Sequence, residues 1–142
     1  MNTYTISTDP QKMDVDVIYG YLSRSYWAEG RTKATVEKSL RNSLNFGVFD
    51  EKDAQVGFAR VITDYATFAY LADVFILEEH RGHGLSKRLM ETIMAHPDLQ
   101  GLRRWSLATR DAHGLYEQFG FTPLPKPEIW MQKFDPTANP PE

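Results

Sequence analysis

Apolar residues recur at two spacings along the chain, and the switches between them mark the elements. Val15, Ile18, Tyr19 and Leu22 fall at i, i+3, i+4 and i+7, which predicts a helix from Asp14, its cap, to about Ser23. Thr32 or Thr35 opens a second helix carrying Val36, Leu40 and Leu44, with Asn42 and Ser43 near its end. Leu85, Leu89, Met90, Ile93 and Met94 form the stripe of a third helix, which Pro97 ends near Ala95 or His96. A short fourth helix runs from Ala112 to Phe119, with Gly120 beyond its end. Between these helices the pattern is that of strands. Tyr4 to Ser7, Phe46 to Phe49, Gln55 to Ile62, the apolar run of Leu71, Val74, Phe75 and Ile76, and Leu102 to Ala108 each read as one. Phe121 starts a further strand that Pro123 and Pro125 soon interrupt, and Ile129 to Phe134 is the last.

The polar linker Asp50-Glu51-Lys52-Asp53-Ala54 and the stretch Tyr65-Ala66-Thr67 read as hairpin turns. The predicted order is β-α-α-β-β-β-α-β-α-β-β. It specifies an α/β (α+β) single domain with a mixed, mostly antiparallel central sheet and helices on both faces. The domain is expected to occupy residues 1–134. The segment 135–142 holds three prolines and no aliphatic side chain larger than Ala, so it is expected to be a flexible tail.

A length of 142 residues suits one core. The formal charge of −3 offers no basic footprint for nucleic acid. The absence of cysteine excludes a disulfide framework, a thiol nucleophile and a thiolate metal site. No apolar run approaches the roughly 18 residues of a membrane span, and the N-terminus lacks the features of a signal peptide, so no membrane partner and a cytoplasmic location are expected.

The central chemistry lies at Arg81-Gly82-His83-Gly84-Leu85-Ser86, between the fourth predicted strand and the third helix. A glycine-bearing turn that feeds a helix start directs several unsatisfied N–H groups at one point, where the helix dipole adds positive potential. That arrangement suits an anion, most often phosphate. Glycines admit close approach of the backbone, and Arg81 and Lys87 add charge. The glycine spacing matches neither a P-loop nor a dinucleotide fingerprint.

The segment resembles the R/Q-x-x-G-x-G/A loop of the GNAT superfamily of N-acetyltransferases, with Arg81 first, Gly84 fourth and Ser86 where Gly or Ala is usual. Leu107 to Phe121, L-A-T-R-D-A-H-G-L-Y-E-Q-F-G-F, resembles the second signature of the same family, N-x-x-A-x-x-L-Y-x-x-x-G-F. Ala112, Leu115, Tyr116, Gly120 and Phe121 match at the right spacing, while Thr109 stands in place of Asn. The resemblance covers residues 4 to 134.

The resemblance implies transfer of an acetyl group from acetyl-CoA to an amine, by direct attack in a ternary complex and without a metal. It assigns the pantetheine arm to Val74, Phe75 and Ile76. It assigns the pyrophosphate to Arg81, Gly82, His83, Gly84, Leu85, Ser86 and Lys87, with Thr109 and Ala112 also on the cofactor side. Tyr116 takes the place of the residue that protonates the leaving thiolate, which suits a phenol of ordinary pKa near ~10. Asp73 is the candidate for receiving the acceptor's ammonium or relaying its proton. Its alternative is an ion pair with Arg60 on the neighbouring strand.

Tyr26, Trp27 and Glu29 lie in the loop that borders the acceptor site in this family, so they are the acceptor-binding candidates. Arg31 is a loop charge with the same alternative. The acidic net charge favours a small cationic amine as acceptor. His80, His83, His96 and His113 show no metal-ligand spacing. Relatives are often dimers, so a homodimer is a further expectation. A non-catalytic acyl-CoA-binding sensor on the same fold is the competing reading.

Overall fold

The protein is represented by a computed structural model that describes residues 3–138. Its strands are β1 (Thr5–Ser7), β2 (Leu44–Phe49), β3 (Gln55–Thr63), β4 (Phe68–Ile76) and β5 (Arg104–Ser106), and its helices are α1 (Val15–Leu22), α2 (Lys33–Arg41), α3 (Leu85–Ala95) and α4 (His113–Glu117). The strands lie in chain order across one five-stranded sheet. The first three pairings are antiparallel and β4 pairs with β5 in parallel. A parallel neighbour needs a crossover, and α3 supplies it.

The helix ends follow from single polar side chains. Asp14 Oδ1 accepts from the N–H groups of Asp16 and Val17, and Thr32 Oγ1 accepts from that of Thr35. Such caps each contribute about 1 kcal/mol. Asn42 closes α2, so Leu44 opens β2 rather than extending the helix stripe.

Each sheet face has its own core. On one, Phe46, Val48, Val61 and Leu71 meet Leu85, Leu89, Met90 and Ile93 of α3. On the other, Phe58 and Phe75 meet Ile18, Leu22 and Val36. Burying side chains of this size stabilises the fold by about 2 kcal/mol each.

Two features of β4 open the molecule for function. Its pairing with β5 covers only Phe68, Ala69 and Tyr70, so residues 71–76 have no strand neighbour on that side. Its pairing with β3 contains a bulge. Phe58 faces Phe75 and Arg60 faces Ala72, so Asp73 and Val74 share the single partner Ala59. Asp73 takes φ of 56°, in the left-handed region.

The two C-terminal strands expected after Gly120 are not formed. Residues 121–134 carry one short 3-10 turn at Pro127–Ile129 and otherwise run irregularly. Pro123, Pro125 and Pro127 remove three N–H donors from the segment. Trp130 lies instead under the Arg104 guanidinium, 5.1 Å from ring centroid to cation. This leaves Met131 95% and Phe134 73% exposed, and a cavity of about 540 Å³ between the segment, β5 and the end of α3. β5 is also shorter than the strand expected over 102–108.

The expected tail falls partly outside the described residues, at 139–142. Asp135 and Thr137 form a local turn just before it. Among the described residues no helix is long and apolar enough to cross a membrane.

Candidate active site

The divergence of β4 from β5 creates a cleft of about 1010 Å³. Its walls are β4 from Tyr70 to Ile76, the segment Leu107–Ala112, and the loop after α1, with Tyr116 also lining it. Arg81 and Ser86 stand at the end reached by the C-terminus of β4.

At that end the chain turns sharply. Gly82 and Gly84 have φ of 86° and 71°, and Gly84 is the residue at which α3 begins. A Cβ at either position would meet nothing within 4 Å. The turn therefore uses glycine for its backbone angle rather than for lack of room. Among the described residues the N–H groups of 82–87 have no protein acceptor, so they face outward at the positive end of α3.

The side chains here divide their tasks. Leu85 is buried in the core, so only its backbone is available to a ligand. Lys87 and His83 are exposed, and the His83 ring lies 5.8 Å from that of Tyr4. Arg81 Nε donates to the Ile76 carbonyl and its Nη2 donates to the Tyr21 hydroxyl, each at 3.0 Å. Its guanidinium thus braces the loop against β4 and α1.

At the bulge, Asp73 is buried and its carboxylate receives three hydrogen bonds. Trp27 Nε1 donates to Oδ1 at 2.8 Å. Arg31 Nη1 donates to Oδ2 at 3.0 Å, and Arg60 Nε donates to the same oxygen at 2.8 Å. Arg60 Nη1 also donates to Ser43 Oγ at 3.2 Å. An ionised carboxylate offers about four lone-pair sites, so three are taken. The ion pair with Arg60, the alternative weighed for Asp73, is present, and Trp27 and Arg31 join it on the same carboxylate.

Trp27 and Tyr26 both line the cleft, and the Arg110 guanidinium lies 3.7 Å over the Tyr26 ring. Glu29 is exposed and is not part of the cleft wall. Thr109 Oγ1 accepts from the Ala112 N–H at 3.1 Å, which fixes the start of α4. Burial pushes the Tyr116 hydroxyl above its ordinary pKa, and the neighbouring Tyr26 and Asp111 act in the same direction.

Val74, Phe75, Ile76, Arg81, Ser86, Thr109, Ala112, Tyr116, Asp73, Tyr26 and Trp27 therefore share one cleft. Tyr21 and Arg110 are additional members that the sequence did not single out. Tyr21 lies off the apolar stripe of α1, and an aromatic in that position is a usable signal.

Residues 42–123, more than half of the chain, match the family model described as an acetyltransferase (GNAT) domain. The chain belongs to the GNAT acetyltransferase family. A GNAT-family protein of Xanthomonas campestris pv. campestris, assigned as an acetyltransferase, has a crystal structure that superposes with a TM-score of 0.92 at 52% identity, over 96% of each chain. A Gibberella zeae protein assigned as an acetyltransferase is 34% identical, over 80% of this chain and 75% of its own. A Clostridium acetobutylicum protein, described as an acetyltransferase by prediction and crystallised with acetyl-CoA, shares the fold. Its TM-score is 0.66 at 13% identity, over 94% of this chain and 96% of its own. The mixed five-stranded sheet with helices on both faces is the GNAT architecture, as the order of elements implied.

Proposed function

We propose that this GNAT domain binds acetyl-CoA in the cleft and transfers the acetyl group to an amine by direct attack in a ternary complex. The observation that carries the reading is the continuity of two features. The unpaired edge of β4 leads straight to the N–H groups of 82–87, so one extended, anion-ended ligand can satisfy both.

Bound there, acetyl-CoA supplies an activated thioester. The N–H groups of residues 82–87 hold its pyrophosphate, with Arg81 fixing the loop that presents them. The unpaired backbone edge of residues 74–76 aligns the pantetheine arm. Tyr116 keeps its proton at neutral pH because its pKa is raised, and its hydroxyl is the donor for the departing thiolate sulfur. As the amine nitrogen bonds to the carbonyl carbon and the C–S bond breaks, the surplus ammonium proton passes to solvent. Asp73 keeps the wall of the cleft in place throughout. The cytoplasm, where acetyl-CoA is available, is the compartment that suits this reaction.

Calorimetry with acetyl-CoA tests the reading, run beside Ser86→Glu. That variant puts a negative charge at the cleft end of the loop without disturbing a positive φ. Micromolar binding, about −8 kcal/mol, that Ser86→Glu abolishes is the expected result. A folded wild-type protein that does not bind overturns it. Binding without thiol release across an amine panel would leave the sensor reading in its place.

A further inference from the structure

The charge of the cleft runs opposite to that of the chain. The whole sequence carries −3. Beyond the loop arginine, the cleft wall carries Arg24, Arg31, Arg60 and Arg110 against Asp73 and Asp111. The imbalance is sharpest where solvent is most excluded. Asp73, with a side chain 2% exposed, sits between Arg31 at 20% and Arg60 at 12%. One buried carboxylate faces two guanidiniums, which leaves one positive charge uncompensated in a largely dry wall. Holding a charge in such a place is costly unless it is paired.

The two guanidiniums are also fixed in advance. Arg60 is held at Nε by Asp73 and at Nη1 by Ser43, and Arg31 is held at Nη1 by Asp73. Among the described residues Arg60 Nη2 and the Nε and Nη2 of Arg31 have no protein acceptor. A guanidinium with its position set and N–H groups to spare is suited to a planar or tetrahedral oxyanion. Glu29, the loop carboxylate that would have drawn a cation, is exposed and outside the wall.

We infer that the acceptor is an amine that also bears an anionic group, a carboxylate or a phosphate, and that Arg31 and Arg60 hold that group. The inference rests on the reading of the cleft as an acetyl-CoA-dependent site. It replaces the cationic amine that net charge alone favours. Trp27 and Tyr26 flank the arginines and form the apolar side of the same subsite. Arg110, stacked on Tyr26, adds a further positive charge at an exposed position on the cleft wall. Binding of the anion orients the amine nitrogen toward the thioester end of the cleft, where Tyr116 lies.

Matched acceptor pairs test this. Phenylalanine is compared with phenylalaninamide, phosphoethanolamine with ethanolamine, and spermidine serves as the cationic probe. Thiol release is read with acetyl-CoA present. Thermal shift is read with each amine alone, so a failure of cofactor binding does not silence the assay. The expected result is that at least one anion-bearing member has a kcat/KM tenfold or more above that of its partner and of spermidine, and raises Tm where they do not. The phenylalanine and phosphoethanolamine arms separate carboxylate from phosphate.

Arg31→Gln should remove most of that advantage through KM, while acetyl-CoA affinity stays within twofold. Arg31→Lys, which keeps the charge, should recover part of it. Should Arg31→Gln not fold, the wild-type pairs decide alone. Equal or better use of ethanolamine, phenylalaninamide or spermidine overturns the inference and leaves the cofactor reading standing. Loss of acetyl-CoA binding with the anion-selective thermal shift intact overturns the cofactor reading alone.

Discussion

Tyr21 lies flat against Phe75, with ring centroids 4.1 Å apart and planes 10° apart, and its hydroxyl accepts a hydrogen bond from Arg81. One side chain of α1 therefore touches both the free edge of β4 and the loop that begins α3. Tyr21→Phe keeps the stacked ring and removes only the oxygen. The expected stability loss is about 1 kcal/mol or less, measured by urea denaturation. The expected functional loss is a severalfold weaker affinity for acetyl-CoA in calorimetry, because the loop loses its brace. Unchanged affinity would show that Ile76 alone holds Arg81.

Tyr116→Phe separates proton donation from packing. The ring remains, so acetyl-CoA affinity should hold. The kcat is expected to fall by about tenfold, less than the hundredfold or more usual for a general acid, because a thiolate leaves readily without help. The pH profile carries the sign. Burial favours the neutral phenol, so the folded pKa lies above the ordinary value near ~10 and the donor stays protonated up to and beyond it. Wild-type kcat should show no Tyr116-dependent decline below pH 10. A decline near pH 8 that disappears in Tyr116→Phe would falsify the assignment.

Asp73→Asn isolates the charge at the bulge, because Asn tolerates the φ of 56° that the position demands. The variant leaves Arg31 and Arg60 facing each other without their shared carboxylate. Breaking a buried ion pair on one side costs about 3 kcal/mol, so the midpoint of denaturation should drop sharply. Measured kcat at a temperature where the variant stays folded checks the other half. A positioning role predicts that KM for the acceptor rises more than kcat falls. A selective collapse of kcat would restore Asp73 as a proton relay.

Asp64 organises the turn between β3 and β4. Its Oδ1 accepts from the N–H groups of Ala66, Thr67 and Phe68, and its Oδ2 accepts from Thr67 Oγ1. Led by the Thr67 hydroxyl, these donors hold its carboxyl well below the usual carboxylate range. A depressed carboxyl stabilises the fold above its unfolded pKa of about 4, and that contribution fades as pH falls below it. Thermal melts of wild type and Asp64→Asn should differ most at pH 7, and the gap should narrow steadily from pH 4 to pH 2. A gap that does not depend on pH would assign the effect to the turn's shape.

The elements that sequence made legible are those specified locally. Asp14 and Thr32 cap their helices, Pro97 follows the end of α3, and the stripe from Leu85 to Ile93 is the buried face of that helix. The last two strands were not legible because a strand requires a neighbour. Ile129 and Met131 have strand-like spacing, yet the prolines before them and the three-residue β5 give them no ladder to join. The cleft followed the same division. The loop of residues 81–86 could be recognised from its own chemistry, as could the Tyr116 segment. The Arg60–Asp73 pair could be weighed because the two strands are neighbours. The convergence of Arg31 and Trp27 on the same carboxylate brings residues 42 and 46 positions apart together, and no periodicity encodes it.

The bulge at Asp73 also governs what lengths this strand can have. Before it, Ala69 and Leu71 supply the core under α3. After it, Val74 and Ile76 do so, while Phe75 turns to the face of α1 and α2. Odd positions serve that core on one side of the bulge and even positions on the other. Deleting Asp73 would bring the two halves into phase and leave Val74, Phe75 and Ile76 on their present faces, but it would remove the carboxylate that Trp27, Arg31 and Arg60 share. Straightening the bulge with every residue kept would instead send Phe75 toward α3 and Ile76 toward α1, exchanging the cores at one stroke. In relatives related by insertion or deletion, the gap is therefore expected in the turns at 50–54 or 64–67, and the spacing from Leu71 to Ile76 is expected to stay constant.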